Sequence, residues 1–170
     1  MPTKYISILL LCVAIVLTGF NAAAESRRKI KLLGQLAEFF GELGRNIKSG
    51  AGSFLYSLAA VKERTGAVFS FPSETLQNYA PGCELAGIWR AAVENDECVG
   101  KTGRESAAAI CTLSDFFADT SPLALADACA FLSTRFAEER ARRAAEYAKN
   151  ERLILTGSLL GAAAVFIIMI

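Results

Sequence analysis

Histidine is absent from this chain of 170 residues, which removes His-based triads, the usual imidazole general base and histidine metal sites. Local cysteine pairs are absent too. Cys83, Cys98, Cys111 and Cys129 are too widely spaced for a Cys-x-x-Cys motif, so zinc or redox chemistry lacks its sequence signal. No segment alternates at period two for long enough to demand a sheet. Net charge is only +1, which gives no basis for whole-chain attraction to nucleic acid. Gly100-Lys101-Thr102 looks like the end of a phosphate loop, but Asn95 stands where the upstream glycine is required and no strand precedes it. The adjacent carboxylates Asp96-Glu97 and Glu138-Glu139 read as solvated faces. Catalytic, cofactor-binding and metal-ligating residues are therefore all expected to be none.

Charge is missing altogether from two stretches, Tyr5 to Ala24 and Leu153 to Ile170. Each approaches the ~20 apolar residues that cross a hydrocarbon core. A hydrophobic fraction of 53% and a mean hydropathy of +0.35 exceed the norm for soluble chains because of these ends. Between Ser26 and Asn150 the composition is that of one ordinary folded domain. The expected organisation is an N-terminal transmembrane helix at 5–24, a cytoplasmic bundle at 26–150, and a C-terminal transmembrane helix at 153–170 in which the chain ends.

The positive charges set the orientation. Arg27, Arg28, Lys29 and Lys31 follow the first apolar stretch, against Lys4 and the amino terminus before it. Arg140, Arg142, Arg143, Lys149 and Arg152 precede the second. Both clusters place the central domain inside the cell by the positive-inside rule. Lys4, the apolar run Ile6 to Leu17 and the small residues Ala22-Ala23-Ala24 also resemble a cleavable signal peptide, and cleavage after Ala24 would export the domain. Charge bias favours two uncleaved helices. A lipoprotein is excluded because Leu11 precedes Cys12. The membrane-boundary and interaction candidates are Arg27, Arg28, Lys29, Lys31, Arg142, Arg143, Lys149, Asn150, Glu151 and Arg152.

Helical periodicity fills the middle. Leu33, Leu36, Phe40, Leu43 and Ile47 repeat at three and four, continuing the first apolar helix until Lys48-Ser49-Gly50-Ala51-Gly52 breaks it. Ser53 caps a helix carrying Phe54, Leu55, Leu58 and Val61, ended by Gly66. Pro72 to Tyr79 reads as a short helix, although Val68, Phe69 and Phe71 would also suit a strand. Glu84 to Glu94 is amphipathic, with Leu85, Ile88, Trp89, Ala92 and Val93 on one side. Asn95 to Gly103 is a loop by composition, and Ser106 to about Asp119 another helix. Thr120-Ser121-Pro122 then starts a last long helix that bears Leu125, Cys129, Leu132 and Phe136 and a second stripe of Ala137, Ala141, Ala144 and Ala148. Cys111 and Cys129 are read as small core residues, Cys83 and Cys98 as exposed. The fold class is all-α, a bundle of about five or six helices between the two anchors. Leu36, Phe40, Leu43, Leu113, Phe117, Leu132 and Phe136 are expected to meet in its core.

Order and spacing along nearly the whole chain resemble one family, the stage III sporulation protein AB of endospore-forming bacteria. The residues that carry this are Thr18-Gly19-Phe20, the basic stretch from Arg27 to Lys31 running into Leu33 to Ile47, Lys48-Ser49-Gly50, Trp89 in an Ala-rich helix, and Lys149-Asn150-Glu151-Arg152 before an anchor with Gly157 and Gly161. The resemblance implies a non-enzymatic scaffold in the cell membrane, on the mother-cell side of the forespore envelope, within a secretion-like channel. Its implied partners are the membrane and other stage III sporulation channel proteins including an ATPase, with no nucleic acid and no small-molecule substrate. The family is in turn similar to the helical cytoplasmic domain of type II secretion F proteins. A general secretion or pilus platform subunit and an exported, tail-anchored binding module are the alternatives.

Overall fold

The computed structural model describes residues 2–50, 52–66, 68–117 and 121–169, with side chains except at 2–9, 11, 12, 15, 152, 154, 155, 162, 165, 166, 168 and 169. Its elements are α1 (Pro2–Lys48), α2 (Phe54–Thr65), α3 (Phe71–Asn78), α4 (Leu85–Asn95), α5 (Glu97–Thr102), α6 (Arg104–Cys111), a 3-10 helix (Thr112–Phe116) and α7 (Pro122–Met169). The described residues contain no strand, so the edge-strand option for Val68 to Phe71 is closed. Two compact units result: residues 31–140, and residues 1–30 with 141–170.

In the unit of residues 31–140 the apolar stripes meet as their spacing dictates. Leu33, Leu36, Phe40 and Leu43 from α1 and Cys129, Leu132 and Phe136 from α7 are buried in one core, joined by Leu58, Val61, Phe71, Trp89, Ile110 and Leu113. Phe117 packs against that core and is half-buried. The Phe40 and Phe136 rings lie 5.9 Å apart. Glycines allow the two long helices to come this close. A Cβ on Gly44 would stand 3.0 Å from the Ala126 carbonyl oxygen and 3.2 Å from the Cys129 Cβ, and one on Gly41 would stand 3.0 Å from the Ser133 hydroxyl. That hydroxyl donates to the Ala37 carbonyl at 2.7 Å, tying α7 to α1 where the backbones are near.

The shorter helices start and stop for local reasons. Ser53 Oγ accepts from the Tyr56 amide, and Gly66 takes a left-handed φ of 55° at the end of α2, as its position predicts. α3 begins at Phe71, one residue before the expected proline start. The helix expected from Ser106 to about Asp119 is shorter: α6 ends at Cys111 and continues only as a 3-10 turn, with Asp119 itself outside the described residues. Side chains also donate to the carbonyls at this end. Trp89 Nε1 donates to Ile110 O at 3.0 Å, Thr112 Oγ1 to Ala109 O at 2.7 Å, and Ser114 Oγ to Cys111 O at 2.7 Å.

The loop expected at Asn95 to Gly103 is instead helix α5, which raises the number of α-helices among the described residues to seven. Its cap is Asp96, which is buried at 2% exposure and not part of a solvated face. Asp96 Oδ1 accepts from the Cys98 and Val99 amides at 2.8 and 3.0 Å, capping α5. Its Oδ2 accepts from the Ser70 and Phe71 amides at 2.6 and 3.0 Å and from the Ser70 hydroxyl at 3.2 Å, capping α3. One carboxylate thus satisfies amide donors at the starts of two helices. Cys98, expected to be exposed, is half-buried on α5, whereas Cys83 is exposed as read.

In the unit of residues 1–30 and 141–170, α1 and α7 each continue without a break, as the sequence predicts for both. Among the described residues no helix is long and apolar enough to cross a membrane, so the spans expected at 5–24 and 153–170 are not supported by that measure. Many side chains of both apolar stretches lie outside the described set. α7 begins at Pro122 as expected, and Ser121, the hydroxyl residue just before it, accepts at its carbonyl from the Leu125 amide at 3.5 Å. Of the expected alanine stripe, Ala144 is half-buried while Ala137, Ala141 and Ala148 are exposed.

The double cap generates a direct test. Replacing Asp96 by alanine strands amides at both helix starts and is expected to cost about 2–4 kcal/mol. Replacing the adjacent, exposed Glu97 should leave the denaturant midpoint of the full chain almost unchanged. Equal midpoints for the two variants would contradict the capping role.

Candidate functional site

Sequence reasoning marked two basic clusters, separated by more than a hundred residues, and the unit of residues 1–30 and 141–170 brings part of each together. Arg27 on α1 is the centre. Its Nε donates to the Tyr147 hydroxyl at 2.8 Å, its Nη2 donates to Glu151 Oε1, and its guanidinium carbon lies 5.5 Å from the centre of the Tyr147 ring. The Tyr147 hydroxyl in turn donates to Glu151 Oε1 at 3.1 Å. Tyr147 and Glu151 are four apart on α7, so one face of that helix presents ring and carboxylate to the same arginine.

The electrostatics follow from this arrangement. The hydrogen bond from Arg27, then that from Tyr147, hold the Glu151 carboxyl below its ordinary value of 4.5, while Glu151 first and Tyr147 second raise the Arg27 guanidinium. Lys29 pairs with Glu25 at 2.9 Å, and its hydrogen bond and charge lower the Glu25 carboxyl.

Beside the clasp is a cavity of about 260 Å³ lined by Ser26, Lys29, Ile30, Arg143, Glu146, Tyr147 and Asn150. Five of the ten marked residues therefore share one locality: Arg27, Lys29, Arg143, Asn150 and Glu151. Arg28, Lys31, Arg142 and Lys149 are exposed on the helix surfaces, and the Arg152 side chain lies outside the described residues. Tyr147 was not marked. Its spacing of four before Glu151 was the available signal.

The geometry also fixes the height of the apolar stretches. With Arg27 beside Glu151 on antiparallel helices, Ala24 lies about 4.5 Å along α1 and Leu153 about 3 Å along α7, at 1.5 Å rise per residue. Both polar-to-apolar boundaries stand at nearly the same level.

Elsewhere, Gly100-Lys101-Thr102 forms the end of helix α5, with Lys101 exposed and 3.6 Å from Glu97. A phosphate loop would need these amides turned around an anion ahead of a helix, and here they are inside one.

The family described as stage III sporulation protein AB matches residues 4–170. The chain belongs to that family. It is a stage III sporulation protein, and the match covers both long helices, the clasp and the bundle. No curated protein matches the chain, and no solved structure does.

The clasp predicts a pH response. Because the Glu151 carboxyl is lowered, its pairing contributes fully above the ordinary value of 4.5 and is lost as pH falls through the lowered value. A carbon-13 titration of the Glu151 carboxyl should have a midpoint below that of an ordinary glutamate, and Arg27→Gln should move it upward. An unchanged midpoint in Arg27→Gln would show that the pair does not form.

Proposed function

We propose that this stage III sporulation protein is a non-enzymatic membrane scaffold of a sporulation-specific, secretion-like channel between mother cell and forespore. Residues 5–24 and 153–170 are its two anchors, and residues 26–150 lie in the cytoplasm on the mother-cell side. The observation that carries the membrane placement is the clasp. By holding Arg27 against Glu151 it levels the ends of two uncharged stretches, as two helices entering one bilayer surface require. Cationic residues crowd the same side of both ends, in agreement with an inward-facing central domain.

An uncleaved first anchor is supported by the region of the alternative cleavage site. α1 continues through Ala24, Ala23 is buried at 5% exposure, and the Ser26 hydroxyl donates to the Ala22 carbonyl at 3.0 Å. In the scaffold reading an ATPase and other channel proteins meet the helical unit, by analogy with the platform role of type II secretion F proteins that the family resembles. The same analogy keeps a general secretion platform as the neighbouring alternative within the scaffold class.

Two experiments address this reading. In spheroplasts containing the full chain, a membrane-impermeant maleimide should label the exposed Cys83 only after lysis. Cys129 should stay unlabelled in the native protein, because burial pushes its thiol up to about 12. Mass spectrometry locates the adduct. Labelling of Cys83 in intact spheroplasts would favour the exported module instead.

Deletion of the gene should arrest spore development when mother cell and forespore communicate, and substitutions on exposed helix faces should give graded losses. Nucleotide turnover by the purified chain, abolished by Lys101→Ala alone, would overturn the scaffold reading.

A further inference from the structure

The 3-10 helix and α7 leave an apolar groove between them, within the unit of residues 31–140. Its cavity of about 580 Å³ is floored by the buried Leu113 and Leu132 and edged by the exposed rings of Phe116 and Phe131, and the small side chains of Ala124 and Ala128 leave it open. Phe131 is 66% exposed and Leu123, eight residues earlier on α7, 59%. Single exposed leucines are common on any protein, but three large apolar side chains gathered about one groove mark an interaction site.

Charge gives the occupant its chemistry. Asp127 is the only ionisable residue among the described ones that line the groove, and its carboxylate has no partner among the described residues. Asp127, Phe131 and Arg135 follow one another at steps of four, so they lie along one face of α7. Arg135 is exposed and, among the described residues, equally unpaired. The two charges stand about 12 Å apart at 1.5 Å rise per residue, too far to neutralise each other. On the 3-10 helix Asp115 is already held by Arg90 at 2.6 Å, and the Thr112 hydroxyl already donates to Ala109. This face of α7 therefore runs from a free anion past an apolar anchor to a free cation.

That order disfavours three occupants. Anionic head groups of a lipid surface would meet the Asp127 carboxylate at the groove itself. A small apolar molecule would fill the cavity but leave Leu123 and both charges uncovered. A second copy anchored in the same membrane, as proposed above, would run its α7 parallel to this one, and two-fold pairing would set Asp127 against Asp127.

We infer that the groove receives an amphipathic helix of another protein. Its apolar stripe covers Leu123, Phe116 and Phe131, and its flanks set a Lys or Arg against Asp127 and, eight residues away, an Asp or Glu against Arg135. Helix-in-groove docking through anchors at i, i+4 and i+7 has this form. The surface rests on the scaffold reading, because it supplies a scaffold with one of its contacts.

The test is photocrosslinking in sporulating cells that produce the full chain with p-benzoylphenylalanine in place of Phe131. Ultraviolet light should join this position to one other protein, and mass spectrometry of the joined peptide should show apolar residues at helical spacing with a basic and an acidic residue eight apart. Asp127→Lys should lower the yield about three- to tenfold, the effect of reversing one charge pair at the rim of an interface. Changing the matching basic residue of the partner to Glu should restore it. The same crosslinker in place of Tyr56, which is as exposed on α2 at 61%, should not give this adduct.

No adduct from position 131, an adduct with lipid or with this chain itself, or a joined peptide without the charge pair overturns the proposal. So does the same adduct from position 56, or an unchanged yield with Asp127→Lys. Failure of the groove is separable from failure of the scaffold. If deletion of the gene arrests spore development while Asp127→Lys with Phe131→Ala does not, the groove alone is lost. If the deletion strain forms spores, the scaffold reading falls with it.

Discussion

At residue 44 the facing helix leaves almost no room for a side chain: the Ala126 carbonyl oxygen stands 3.0 Å from where a Cβ would be. The rest of the unit of residues 31–140 depends on this approach of α1 and α7. It brings the Ser133 hydroxyl within 2.7 Å of the Ala37 carbonyl and sets Phe40 against Phe136. Burial of large side chains then rewards the closeness, since interiors pack as densely as organic crystals and tolerate few gaps. The short helices between residues 54 and 116 complete the core from one side, through Leu58, Phe71, Trp89 and Ile110.

The intervening chain has to dispose of many helix ends in little space, and it does so by sharing partners. Asp96 serves two helix starts, and three side chains serve the end of α6. Among the described residues, the buried side-chain atoms Ser57 Oγ and Gln35 Oε1 have no hydrogen-bond partner. Their desolvation is uncompensated within the described residues and opposes the hydrophobic gain of the same core.

What was legible in the sequence was what repeats at helical spacing. The stripe of α1, the stripe of α7 from Leu125 to Phe136, the Ser53 and Gly66 boundaries, and the expected core residues, with Phe117 half-buried against the core, could be read, because periodicity and capping are local properties; the alanine stripe that follows on α7 is mostly exposed. What was missed depended on partners distant in the chain. Asp96 looked solvated beside Glu97 because its partners at Ser70 and Phe71 are 26 and 25 residues away. The 3-10 turn after Cys111 coincides with an indole donor from Trp89, 21 residues upstream of the carbonyl it reaches. At the candidate site, composition revealed the basic residues but not their association. Arg27 and Glu151 lie 124 positions apart, and only the antiparallel return of α7 joins them.

The chain has one tryptophan, and its surroundings give it a use as an optical reporter. Trp89 is fully buried, with the rings of Phe54, Phe71 and Phe117 at 5.7, 5.2 and 5.6 Å and its indole N–H fixed to Ile110. An indole held rigidly among aromatic rings and shielded from water emits at shorter wavelength than a hydrated one and contributes an asymmetric near-ultraviolet signal. Both properties vanish when the rings separate. Because those rings come from α2, α3 and the segment after the 3-10 helix, the fluorescence of this one residue follows the docking of three separate parts of the chain.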